Sequence, residues 1–146
     1  MRTAVGISVL AALLVGLITM PRASAEQRKK TVTEEWQATA APYPGADDHS
    51  DPATECGLEN LTFTIHTFTT PAKGTLEARL SDFQGEWDLY VTDTEGRLLA
   101  SSVNFMAGPQ EQLTVPLPAK LDIEIYACNF LGGPTAQGAL TYTYKQ

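Results

Sequence analysis

The chain has 146 residues, of which 43% are hydrophobic, and its 17 acidic and 10 basic side chains give a formal net charge of −7. That length suits one domain with its own core and is short for two. The acidic balance argues against nucleic-acid backbones and anionic membrane surfaces as partners.

Residues 1–25 have the three parts of a secretory signal peptide. Arg2 supplies the positive charge, residues 5–20 are almost all apolar, and Ala23 and Ala25 precede the expected cleavage point. An N-terminal membrane anchor is the alternative, but it would need about 20 apolar residues. Cleavage would remove two of the ten basic residues and no acid, leaving a net charge of −9. We therefore predict a secreted or periplasmic protein without a membrane segment after cleavage.

The mature chain is predicted to begin with a flexible segment, 26–30, followed by a single β-sandwich domain over 31–146. In "TVTEEWQ" the side chains alternate between two faces, which predicts a first strand over 31–37, anchored by Trp36. Segment 38–55 contains three prolines and several acids. It is predicted to be a surface loop, because proline removes a backbone donor and restricts the residue before it.

From residue 58 onward the chain consists of short runs in which apolar and polar residues alternate, separated by Gly- and Pro-containing turns. This pattern predicts an all-β fold, an antiparallel jelly-roll-like β-sandwich of about 7–9 short strands with one solvated side per sheet. In the run 86–93, the apolar residues are assigned to the core, while Glu86, Asp88 and Tyr90 are assigned to the exposed face. Asp93 and Gly96 suit the first and fourth positions of a type I turn, which predicts a hairpin.

Cys56 and Cys128 are the two cysteines of the chain. Two cysteines in an exported chain most often form a disulfide, which we predict here. The alternative is a catalytic thiol, which needs a nearby base. The candidate bases are His49, in the loop, and His66, predicted on the outer face of a strand, and neither belongs to a recognisable motif.

The stretches "GTLEARLSDFQGEWDLYVTDTEGRLLASS" and "EQLTVPLPAKLDIEIYAC", followed by a closing Tyr/Thr strand, resemble the bacterial pre-peptidase C-terminal domain family. The chain departs from that pattern at residues 120–122, where the family often has Gly-x-Tyr. The resemblance implies a jelly roll that is an exported, non-catalytic module binding matrix, polysaccharide or cell-surface material, and some such domains hold calcium. The motif positions with structural roles are Trp36, Trp87, Asp88, Leu89, Tyr90, Asp93 and Gly96.

Two further sets of residues are candidate sites. The acids of the proline-rich loop could supply the hard oxygens that Ca²⁺ prefers, the alternative being a solvated acidic loop. These acids are Asp47, Asp48, Asp51 and Glu55. Phe105 and Phe130 lie in predicted loops, where they either form a binding surface or tuck under the end of the sandwich.

Catalysis finds little support in the sequence, so we predict a protein that is not an enzyme. Glu86 and Asp88 are neighbours on one strand, whereas a glycosidase places two carboxyl groups on either side of a sugar. No G-x-S-x-G nucleophile motif is present. Beyond possible calcium, no cofactor is predicted. The alternative function is a secreted inhibitor or regulator of a hydrolase that acts through loop contacts.

Overall fold

A computed structural model describes residues 28–42, 56, 62–104 and 110–146. In these ranges the secondary structure consists of eight strands, and neighbouring strands within each sheet are antiparallel. The strands are β1 (Lys29–Thr39), β2 (Phe63–Thr69), β3 (Gly74–Ser81), β4 (Gly85–Asp93), β5 (Leu98–Ser102), β6 (Gln110–Leu117), β7 (Asp122–Gly132) and β8 (Thr135–Lys145). The predicted all-β fold is confirmed.

The strands form two four-stranded sheets, which pack into a sandwich. The first sheet has the order β1-β8-β3-β6 and the second the order β2-β7-β4-β5. Except for the β4–β5 hairpin, strands that follow each other in the chain lie in different sheets. This eight-stranded arrangement is a jelly roll.

Alternating side chains from both sheets form the main core. β3 and β6 follow the period-two pattern closely, with Leu76 and Leu80 fully buried and their neighbours Glu77 and Arg79 exposed. Trp87 and Leu89 of β4 enter the same core at 0% exposure. The strand alternation read from the sequence therefore places the core correctly in these elements.

The prediction that β4 has one exposed face is wrong. Glu86, Asp88 and Tyr90 are only 4%, 1% and 0% exposed. Tyr90 belongs to a second apolar cluster, which also contains Phe130 and the two cysteines. The predicted disulfide between Cys56 and Cys128 is confirmed, with 5.2 Å between the Cα atoms. This disulfide holds Cys56 against the outer side of the second sheet, which the sequence pattern had predicted to be exposed to solvent.

β1 is longer than the sequence pattern indicated. Lys29 and Lys30 were predicted to belong to a flexible start, and Ala38 and Thr39 to a loop, but all four are paired with β8. The prediction failed because β8 supplies an eleven-residue partner over the whole length of β1. Residues 1–25, and with them the predicted signal peptide, lie outside the described residues, as do most residues of the predicted loop.

The predicted hairpin joins β4 to β5. The Gly96 N–H donates to the Asp93 carbonyl at 3.0 Å, and Gly96 has φ 81°, which glycine adopts without strain. The Asp93 carboxylate accepts the backbone N–H groups of Glu95 and Arg97 and the Arg97 Nε–H. These donors, the Arg97 backbone N–H first, hold the pKa of Asp93 below its usual value. Asp93 therefore stabilises the turn.

Candidate functional site: the outer face of the first sheet

The outward side chains of the first sheet form a largely polar surface, here called the polar face. Three successive cross-strand rows make up its centre. From β1 to β6 they read Thr31–Thr143–Thr75–Pro116, Thr33–Thr141–Glu77–Thr114 and Glu35–Ala139–Arg79–Gln112. Because each position is set by backbone pairing, hydroxyl, carboxylate, guanidinium and amide groups project from a rigid frame.

Two adjoining grooves cross the polar face. One, of about 300 Å³, lies among Glu35, Arg79 and Gln112, and the other, of about 280 Å³, reaches Lys29. The two grooves share Glu77 and Thr141. The Gln112 Nε2 group donates to Glu77 Oε1 at 2.7 Å, so these two side chains hold each other in place. Such donors and acceptors suit a ligand that is rich in hydroxyl groups.

On the opposite side of β1, Trp36 helps to close the edge of the sandwich. Its ring stacks on His66 of β2, with 4.2 Å between ring centroids and an interplanar angle of 6°. His66 Nε2 lies 2.8 Å from Glu34 Oε2. The prediction that His66 lies on an outer face is therefore wrong, since the ring faces strand β1 of the other sheet. Its role here is to join the sheets.

A buried polar network lies where β5 meets β6. Glu111 is 2% exposed, and its carboxylate accepts hydrogen bonds from Ser102 Oγ and from Asn104 Nδ2. Burial raises the pKa of Glu111, and nearby Glu86 raises it further. Ser102 and Glu111 lie in the stretches that resemble the family, but only the fold reveals that they bond across the two sheets.

Asp88 and Tyr90 share the covered side of β4. The Tyr90 hydroxyl donates to Asp88 Oδ2 at 3.2 Å. Tyr90 belongs to the second apolar cluster, and Asp88 is paired with Cys128 of that cluster. Neither side chain lines a groove of the polar face. Both side chains are buried, and their hydrogen bond ties two neighbouring positions of β4 together.

Phe130 was predicted in a loop, and this position is wrong. It lies within β7, is 7% exposed and packs with the disulfide. Phe105 lies outside the described residues. The same holds for all of the calcium candidates, Asp47, Asp48, Asp51 and Glu55. Among the residues that are described, no three His, Cys, Asp or Glu side chains are grouped so that they could hold a metal ion.

Comparison with protein-family models and with curated proteins gave no match. Across the described ranges, no helix has the length and apolar character needed to cross a membrane. The resemblance to pre-peptidase C-terminal domains thus stays a prediction from sequence motifs.

Proposed function

We propose that the protein is an exported, non-catalytic binding module similar to pre-peptidase C-terminal domains. In this proposal, it holds extracellular polysaccharide, matrix protein or cell-surface material on the polar face. The signal-like start of the sequence and the disulfide support export, since disulfides persist in oxidising compartments.

The polar face is the observation that carries this proposal. It combines adjoining grooves with exposed side chains that can donate and accept hydrogen bonds, among them Arg79 and Gln112. A ligand bound there would displace water without requiring the strands to move, because the backbone ladder already fixes the side-chain directions. Binding sites built on strands are more rigid than those built on loops.

Co-sedimentation with insoluble cellulose, chitin and peptidoglycan, together with binding to immobilised collagen, tests the proposal. We expect at least one of these materials to retain the protein and the double variant Arg79→Ala/Gln112→Ala to reduce retention. Thr67→Ala, at an exposed position of β2 in the other sheet, is the matched control and should bind normally. Equal retention of both variants, or no binding of the wild-type protein to any polysaccharide or matrix protein, would contradict the proposal.

A second candidate function is inhibition or regulation of a secreted hydrolase. Leu131, which is 50% exposed next to the Gly132–Gly133 turn, favours it because an apolar side chain at such a position can enter a protein partner. This candidate predicts that the protein slows a secreted protease and that Leu131→Asp abolishes the effect. Unchanged protease rates at a saturating concentration of the protein would eliminate it.

A further inference from the structure

Basic side chains gather at one end of the sandwich. Lys29 and Lys145 lie directly opposite each other where β1 begins and β8 ends. Lys73 precedes Gly74, which is the partner of Tyr144 in the same sheet. These three lysines and the nearby Arg28, Lys30 and Lys120 make up six of the eight basic residues in the described ranges, and all six are exposed.

Within the described parts of the chain, none of these basic side chains forms an ion pair with an acidic one. The ion pairs there join His66 to Glu34 and Arg97 to Asp93. Asp122, the acid closest in sequence to Lys120, accepts a hydrogen bond from the hydroxyl of Thr69. A chain with a net charge of −7 therefore carries a local excess of positive charge, which attracts anions.

Three of these lysines line a groove of about 540 Å³, here called the basic groove. Its lining consists of Lys29, Lys73, Gly74, Thr75, Pro116, Thr143, Tyr144 and Lys145. The groove thus places ammonium groups around hydroxyl groups and one aromatic ring. Amphipathic rings of this kind offer an apolar face together with a polar end.

Buried Tyr142 supports the residues that line the basic groove. The rings of Tyr142 and Tyr144 are 6.0 Å apart, and the Tyr142 hydroxyl donates to the Ala72 carbonyl at 2.7 Å. That bond fixes the turn that carries Lys73. A Cβ atom at Gly74 would lie 2.8 Å from the Tyr142 ring, so glycine allows the close approach. The lysines therefore extend from an ordered base.

We propose that the basic groove binds the carboxylate or sulfate groups of an acidic polysaccharide. This inference rests on the proposed function and names the class of ligand. The basic groove shares Lys29, Thr75 and Thr143 with a groove of the polar face. A polymer could therefore place its acidic groups on the lysines and its hydroxyl groups along the threonine rows.

The same surface disfavours a lipid membrane as the partner. Insertion into a lipid surface would require exposed apolar side chains. The exposed large hydrophobic residues of the described chain are Ile65, Leu98 and Leu131, and none of them lines the basic groove.

The test measures the dissociation constants of the oxidised protein for polygalacturonate and dextran sulfate, with neutral dextran as the uncharged reference. We expect binding to at least one acidic polymer, weakened by added salt because the contacts are exposed. Lys73→Glu/Lys145→Glu should weaken it by about tenfold, since each reversal replaces an attraction with a repulsion. Lys120→Glu changes charge at the same end outside the groove and should weaken binding by less than about threefold.

Several outcomes would overturn the inference. If the double variant and Lys120→Glu lose the same amount of affinity for the acidic polymer, the whole basic end of the sandwich attracts the polymer and the groove is not a specific site. Tighter binding to phosphatidylglycerol vesicles or duplex DNA than to both acidic polymers would assign the lysines to another ligand. If the protein is retained by cellulose, chitin, peptidoglycan or collagen but by no acidic polymer, the inference fails while the proposed function stands. If the protein binds none of these materials and no acidic polymer, both the inference and the proposed function are wrong.

Discussion

The disulfide should contribute a large part of the stability of this protein. Cys56 and Cys128 are 72 residues apart, and the loop-entropy relation for that separation gives about 4 kcal/mol of stabilisation, through restriction of the unfolded chain. For a chain of this size, losing about 4 kcal/mol of unfolding free energy lowers the melting temperature by about 15 °C. Both sulfur atoms are buried, so removing them also costs packing in the second apolar cluster.

Urea unfolding, followed by tryptophan fluorescence, measures this contribution. Three samples are compared at equal pH: the oxidised protein, the reduced protein and the double variant Cys56→Ala/Cys128→Ala. The reduced protein isolates the loss of the cross-link, while the double variant adds the loss of sulfur packing. We expect reduction to lower the free energy of unfolding by about 4 kcal/mol. A loss below about 1 kcal/mol would refute the reasoning from loop entropy.

Three further predictions follow from individual contacts. Gly138→Val should destabilise the protein by about 1–3 kcal/mol in urea unfolding, because a side chain there would collide with the Trp36 ring; unchanged stability would contradict this packing. Since burial raises the pKa of Glu111, its ionisation should lower stability as the pH rises through that raised pKa. Glu111→Gln should therefore match the wild-type free energy of unfolding near pH 3 and exceed it near pH 7, and a constant difference over that range would refute the role of ionisation. Burial, together with the hydrogen bond to Glu124, raises the pKa of Tyr126 to about 12. In an absorbance titration at 295 nm, the ionisation step near pH 12 should be missing in Tyr126→Phe. An unchanged titration curve would show that this step does not belong to Tyr126.

Strands with one solvated side were predictable from local sequence. In β3, apolar Leu76 and Leu80 alternate with charged Glu77 and Arg79, and the structure buries the first pair and exposes the second. The spacing of two residues is sufficient because one side of that strand faces the core and the other faces water.

Strands whose surroundings are set by distant residues were not predictable in this way. Asp88 looks exposed in a period-two pattern, but it is buried beside its β7 partner Cys128, which is bonded to Cys56, 32 residues before Asp88 in the chain. On β2 the pattern suggested an outward His66, whereas Ile65 is 39% exposed and the His66 ring stacks on Trp36. Such contacts between sheets leave no periodic signal.

The candidate site was predictable only in part, for a related reason. Outward threonines on the strands follow from alternation, but the row that joins Thr33 to Thr141 depends on pairing between β1 and β8. The lysines of the basic groove are scattered between residues 29 and 145 and meet only because these strand ends and turns lie at one end of the sandwich. Net charge, which averages over the whole chain, conceals this grouping.

The pairing of β1 with β8 determines how the fold would respond to tension. Lys29 and Lys145 are side by side, so a force that pulls them apart would load the hydrogen bonds between the two strands one after another, as in unzipping. Peeling would stop at Cys56 and Cys128, where the covalent bond would carry the force. β2 to β6 lie between the cysteines and would be shielded. Stretching would therefore remove β1 and β8 from the polar face first, while β3 and β6, which form the rest of that face, stay unloaded.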